Sequence, residues 1–229
     1  MAGRNKNFNA VLLTGWLAST ATGFGLLWRY ETTPGVLARP SQLAWTSPNA
    51  RLPLNSWQDT LVLFIHPRCP CSRATLAELA DLMRDRTDRL SALAYFVRPA
   101  DVLPGWEKGE LWQTAAAIPG VSVACDADGR LATLWGATTS GHALLFAPDG
   151  ALRFSGGLTM ARGHVGDNVG CETVAALVDS SPASPRTHPA LTITRPLLME
   201  TVYPQTPVYG CPLLSISTGL TARSPVCIR

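Results

Sequence analysis

The chain has 229 residues, room for one ordinary domain with appendages, and a formal net charge of +3. At 46% hydrophobic and 15% charged residues it is apolar for a soluble protein, which points to a membrane segment. The mild charge, with no basic cluster interleaved with aromatics, argues against a nucleic-acid partner.

Arg4 and Lys6 precede a run from Phe8 to Trp28 that holds no charged residue. Roughly 20 apolar helical residues suffice to cross the hydrocarbon core. Trp28 and Tyr30 fall where interfacial aromatics belong, and the basic flank predicts a single-pass anchor, N-inside, with the rest on the extracytoplasmic (periplasmic) side. A cleavable signal sequence, cut near Leu17-Ala18-Ser19 or Thr20-Ala21-Thr22, is the rival reading, and a buried core helix is a third. The anchor is favoured because the apolar run continues past either cut. Residues 1–30 are thus assigned to the anchor, and residues 31–58, rich in Pro, Ser, Thr and Asn, to a linker.

Residues 60–67 open with a continuous apolar run suited to a strand buried on both faces. Leu76, Leu79, Ala80, Leu82 and Met83 then recur at helical spacing over residues 73–84. A second buried strand is predicted at 93–97, a loop and short helix at 101–117, a third strand at 121–124 and a short helix at 130–135. Residues 143–146 and 151–155 flank the turn Pro148-Asp149-Gly150 as a hairpin, and a last helix starts near Asp167 or Asn168. Strands alternating with helices before a closing hairpin indicate an α/β domain over residues 59–179, a mixed central sheet with helices on both faces. Residues 180–229 read as a linker and a tail of little periodicity that holds Cys211 and Cys227.

Reactive chemistry concentrates in His66-Pro67-Arg68-Cys69-Pro70-Cys71-Ser72, where the first strand ends and the helix begins. Unpaired N–H groups and the dipole at a helix N-terminus lower a thiol below its free value of about 8.5, and Arg68 and Arg73 add positive charge. Cys69 and Cys71 can close a disulfide, since residues two apart reach the required Cα separation of roughly 4.4–6.8 Å, but the small ring is strained. Strained disulfides are oxidising, which predicts disulfide donation or shuffling more than strong reduction. An inert stabilising bridge is the bland alternative, and so tiny a loop removes little unfolded-state entropy.

A buried strand, a cysteine pair at a helix start and a later hairpin together resemble the thioredoxin-like superfamily over residues 59–179, in its extracytoplasmic, membrane-anchored branch. Residues 124–129, 134–137 and 143–150 resemble that family's second half. Cys69-Pro70-Cys71-Ser72 followed by Arg162-Gly163-His164-Val165-Gly166-Asp167-Asn168 also resembles a small RedB-like group. Matching Leu76 and Leu79 to the family's first helix places Cys69 at the nucleophilic cysteine and Ser72 at the second cysteine's place. Cys71 is then an extra cysteine; the other gap placement makes Cys71 the second cysteine of a shortened motif. The family's cis-proline position falls on Gly141, preceded by Ser140.

The resemblance implies a thiol–disulfide oxidoreductase without cofactor, acting on a protein thiol or disulfide partner. Cys69 attacks, Cys71 resolves, and Pro70, Ser72, His66 and Arg68 support the pair. The alternatives are a copper-binding or copper-delivery module, with Cys69, Cys71 and His164 as ligands, and a non-catalytic assembly subunit. His142 misses the copper carriers' histidine by about three positions. His66 is either a base tuning the thiolate or a packed residue. Cys125 and Cys171 lie on apolar patterns and are predicted to be buried small hydrophobes. Cys211 has three open fates: a bridge to Cys227, a fold-back that resolves Cys69 or Cys71, or a free or intermolecular thiol.

Overall fold

The computed structural model describes residues 2–181 and 203–214; Cys227 lies outside them. Two compact units divide the chain after Thr33. The first is helix α1 (Ala2–Thr32), of which Phe8–Thr32 is long and apolar enough to cross a membrane, with none of its apolar window buried.

The second unit is built on a five-stranded sheet in the order β3-β2-β1-β4-β5. Its strands are β1 (Asp59–Ile65), β2 (Leu90–Arg98), β3 (Val121–Ala127), β4 (His142–Phe146) and β5 (Leu152–Gly157). β1 lies parallel to β2 and antiparallel to β4, β2 runs parallel to β3, and the β4–β5 hairpin closes the sheet. This is the mixed central sheet that the sequence predicts. Every residue of β1 is buried, as expected of an uninterrupted apolar run at the sheet centre.

Alternation along β1 sends Leu61, Leu63 and Ile65 to one face and Val62 and Phe64 to the other. The first face is covered by α3 (Ser72–Arg84) through Leu76, Leu79, Leu82 and Met83, by α4 (Glu110–Ala116) and by α6 (Val169–Asp179). Asn168 caps α6, its side-chain oxygen accepting from the Cys171 N–H at 2.7 Å.

The second face has the short α5 (Arg130–Leu134) and needs more cover. It comes from the two segments that lack periodicity, so both boundaries read from the sequence need correction. The expected linker carries α2 (Gln42–Thr46), with Ala44 and Ala50 buried, and Trp45 packs edge-on against Trp135 at 4.7 Å between ring centroids. Trp135 donates its indole N–H to the Ala50 carbonyl at 3.1 Å. The tail also returns: Thr206 N–H donates to the Ser155 carbonyl at 3.3 Å along β5, and Leu213 is buried in the same cluster. Gly156 and Gly157 let the tail approach, since a Cβ on Gly157 would lie 2.5 Å from the Pro207 carbonyl oxygen.

His142 opens β4 with no exposed surface; its Nε2 bonds Ser155 Oγ at 2.8 Å and its Nδ1 has no hydrogen-bond partner. Burial disfavours the imidazolium and lowers its pKa from 6.5 to about 4. Its contribution is complete above the unfolded value of 6.5 and is lost as pH falls toward 4. Chemical denaturation between those limits should therefore show a loss of about 3 kcal/mol from this group, and His142→Gln should flatten that slope.

Candidate functional site

The site forms where β1 stops. Phe64 is still paired with His142, and the chain then turns through His66 to Cys71 before α3 begins. Cys69 N–H donates to the His66 carbonyl at 3.1 Å, and Ser72 N–H donates to the Cys69 carbonyl at 3.1 Å. Pro70 lacks an N–H and fits this tight turn without leaving a donor unpaired. Cys71 is the N-cap position of α3, and its side chain makes no capping bond.

Ser140 fastens this turn to the approach of β4. Its Oγ accepts from the His66 N–H at 2.8 Å and bonds Ser72 Oγ at 2.8 Å. Gly141 follows at φ +91°, and a Cβ there would meet Thr75 Oγ1 at 2.9 Å. Ser72 and Ser140, the first at the vacated second-cysteine place and the second just before the vacated proline place, thus hold one another.

The tail supplies the remaining wall. Residues 211–213 run antiparallel to residues 138–140: Ser140 N–H donates to the Cys211 carbonyl at 2.8 Å, and Leu213 N–H donates to the Thr138 carbonyl at 2.9 Å. Arg162 donates to the Gly210 carbonyl. This pairing sets Cys211 over Cys69, with the Cys211 N–H 3.4 Å from the Cys69 sulfur. The sulfurs of Cys69, Cys71 and Cys211 all lie within 4.8 Å of one another. Cys69 is 1% exposed, while the other two are half-buried.

One thiol of the three holds the negative charge. Cys69 is driven far below the ordinary thiol range by the Cys211 thiol donating to it, then by the Cys71 thiol, with the Cys211 N–H and Ser72 adding donors; together these outweigh burial. Cys211 is raised by donating a hydrogen bond to Cys69 and then to Cys71, and burial adds to the effect. At Cys71 the Cys211 thiol pulls downward, but donation to Cys69, burial and the adjacent thiolate raise it overall. A thiolate of such low basicity is a moderate nucleophile and a very good leaving group.

His66 is a packed residue here. Its Nδ1 accepts from the Arg68 N–H at 3.2 Å and its ring meets Trp106 edge-on at 5.8 Å. Burial lowers its pKa, with the Cys69 thiolate opposing. Arg68 lies over the Trp106 ring, 4.5 Å from its centroid, and Arg73 pairs with Glu110 at 2.7 Å on the surface. His164 is exposed and lies outside the three-thiol cluster, so the predicted set of Cys69, Cys71 and His164 is not brought together as one group. Cys125 and Cys171 are half-buried, where full burial is predicted. Sequence reasoning missed the roles of Trp106 and Arg162, and it left the docking of Cys211 beside Cys69 as one of three open fates. The signal for the last was Gly210, where any Cβ would fall 2.0 Å from the Ser140 carbonyl oxygen.

No protein-family model matches the sequence, and no curated protein does. Among solved structures, the chain is similar to a hypothetical protein of Sinorhizobium meliloti, at 20% identity and TM-score 0.49, over 80% of this chain and 91% of that one. An uncharacterized conserved protein of Geobacillus kaustophilus gives 19% identity and TM-score 0.49, over 80% and 92%. A secreted Mycobacterium tuberculosis disulfide oxidoreductase homologous to E. coli DsbE gives 15% identity and TM-score 0.39, over 56% and 84%. With TM-scores this low, function rests on the chain's own site.

Thiolate absorbance near 240 nm should persist in the reduced protein well below neutral pH and vanish in Cys69→Ser. Cys211→Ala, which removes the leading donor, should shift the transition upward toward the free-thiol value of about 8.5.

Proposed function

We propose that the protein is a membrane-anchored thiol–disulfide oxidoreductase of the thioredoxin-like class, acting through Cys69 and Cys71 on a protein partner. The observation that carries this reading is the cluster of three cysteine sulfurs within 4.8 Å at the head of α3, with Cys69 buried in it. The Cys-Pro-Cys-Ser motif and the Arg162 to Asn168 loop assign it, by resemblance, to the RedB-like group. Helix α1 is the anchor, with the N-terminus inside and the domain on the extracytoplasmic side, where disulfides persist.

In the reducing direction the Cys69 thiolate attacks one sulfur of a partner disulfide. The other partner sulfur leaves as a thiolate and takes up a proton, and a mixed disulfide forms. Cys71 gives its proton to solvent and attacks the Cys69 sulfur, which closes Cys69–Cys71 and releases the second partner thiol. The reverse sequence oxidises a dithiol. It is favoured because Cys69 is a good leaving group and the small Cys-Pro-Cys ring is strained. Ser72 and Ser140 position the turn, and His66 and Arg68 wall it with Trp106.

The three thiols also favour a second reading, a module for Cu(I). Soft thiolates suit that ion, and three sulfurs within 4.8 Å provide a trigonal donor set in which Cys211 stands where His164 was expected. Bound copper would supply a delivery function, with Cys69, Cys71 and Cys211 holding it.

Refolding of a reduced, disulfide-requiring client separates the readings. The pre-oxidised protein should transfer its disulfide in stoichiometric amounts without metal, Cys69→Ser should abolish transfer, and the reduced Cys71→Ser Cys211→Ser protein, given a disulfide-bonded client, should stall as a trappable mixed disulfide. Full transfer by Cys69→Ser would overturn the redox reading; tight, stoichiometric Cu(I) binding with no transfer by the wild-type protein would favour the second.

A further inference from the structure

The tail strand does more than cover the sheet. It delivers a third thiol to the buried Cys69 sulfur, and it does so by main-chain pairing that the sequence makes specific. Gly210 admits the close approach to Ser140, the Ser140 N–H and the Thr138 carbonyl complete the pairing, and Arg162 ties the Gly210 carbonyl. Upstream, Gly35 N–H donates to the Val208 carbonyl at 2.8 Å, and Thr206 Oγ1 donates to the Gly157 carbonyl at 3.0 Å, so the strand is held before it reaches the site. Cys211 is therefore placed, and its sulfur shares one cluster with both motif cysteines.

We infer that Cys211 is a third redox-active thiol, which takes the disulfide from Cys69–Cys71 and leaves Cys69–Cys211 as the resting oxidised form, with the tail locked across the site. This rests on the redox reading above and replaces its end point. The step is an isomerisation and needs no oxidant beyond the disulfide already made. The Cys211 sulfur, after giving up its proton, attacks the Cys69 sulfur. The Cys69–Cys71 bond breaks, the Cys69–Cys211 bond forms, and Cys71 leaves as a thiolate that takes up the proton.

Ring size gives the step its direction. Cys69 and Cys71 have one residue between them, and their disulfide must bend the turn that starts α3. Cys69 and Cys211 are 142 positions apart and meet from separate segments, so their bridge can form without closing a small ring. A long closed loop also restricts the unfolded chain far more than a short one does. Cys71 is then the thiol that reopens the site: it attacks Cys69, expels Cys211 and regenerates the strained pair.

This assigns a consequence to the burial of Cys69. With residues 210–213 in place it is 1% exposed, so an outside partner reaches it only when the tail moves away. A Cys69–Cys211 bond prevents that movement, and reduction restores it. The oxidised protein is thereby closed to adventitious thiols until Cys71 acts.

The test maps disulfides in the full-length protein in detergent micelles. The reduced protein is oxidised with oxidised glutathione, free thiols are blocked with N-ethylmaleimide, and peptides are identified by mass spectrometry. Wild type should give mainly a Cys69–Cys211 linkage with Cys71 blocked, and Cys211→Ser should stop at Cys69–Cys71. Gly210→Val keeps all cysteines but drives the strand off Ser140; it should shift the product to Cys69–Cys71 at least tenfold. Cys69–Cys71 as the main wild-type product, or Cys69–Cys211 undiminished in Gly210→Val, overturns the inference and leaves the redox reading standing. No Cys69 disulfide in any of the three proteins overturns both.

Discussion

The strand β1 must be covered on both faces, and most of the domain's architecture follows from that. Its seven buried residues place Leu61, Leu63 and Ile65 under three helices. Val62 and Phe64 face a side that the five-residue α5 leaves largely open. The hydrophobic effect favours any apolar segment that can lie there, at roughly 25 cal/mol per Å² removed from water. Trp45, Leu52 and Leu54 arrive from before the sheet, and Leu213 and Tyr203 arrive from after it. Burial of Leu213 brings Cys211, two residues earlier, to the end of β1 where Cys69 sits. The chemistry of the site is thus coupled to closure of the second hydrophobic layer.

The electrostatics of the site depend on donors more than on cations. A lone arginine near a thiolate acts at a distance and is screened by water, whereas an S–H or N–H pointed at a buried sulfur acts at contact. Arg68 and Arg73 are engaged by Trp106 and Glu110, and it is Cys211, Cys71 and Ser72 that hold the Cys69 charge. Two of those donors are themselves thiols, so stabilising one thiolate keeps its neighbours protonated. The shifts run in opposite directions within the cluster, down at Cys69 and up at Cys71 and Cys211.

The sheet and the motif were legible in the sequence for clear reasons. The apolar run at 60–65, the stripe Leu76, Leu79, Leu82 and Met83, and the turn at Asp149-Gly150 each report a local period or a local turn. The role of Ser140 and the fold-back of the tail depend on contacts between residues far apart in the chain, which no local period records. Residues 31–58 read as a linker because their apolar side chains are single and irregularly spaced, yet Ala44, Trp45, Leu52 and Leu54 fill gaps on the second face. Cys211 carried one visible clue, a glycine and a proline beside it, and Gly210 is now explained by a carbonyl 2.0 Å from where its Cβ would stand. The leading donor that lowers the Cys69 thiol, Cys211, comes from the other end of the chain.

A chain with six cysteines risks scrambling its own bridges wherever disulfides form. Cys171 bears on that risk. Its thiol, on α6, is pushed up to about 12 by burial and donates to the Leu158 carbonyl at 3.7 Å. At neutral pH such a thiol stays protonated, which makes it a poor nucleophile. Cys125 is raised in the same sense by burial. The fold therefore biases both bystander thiols toward the unreactive protonated form, opposite to its effect on Cys69.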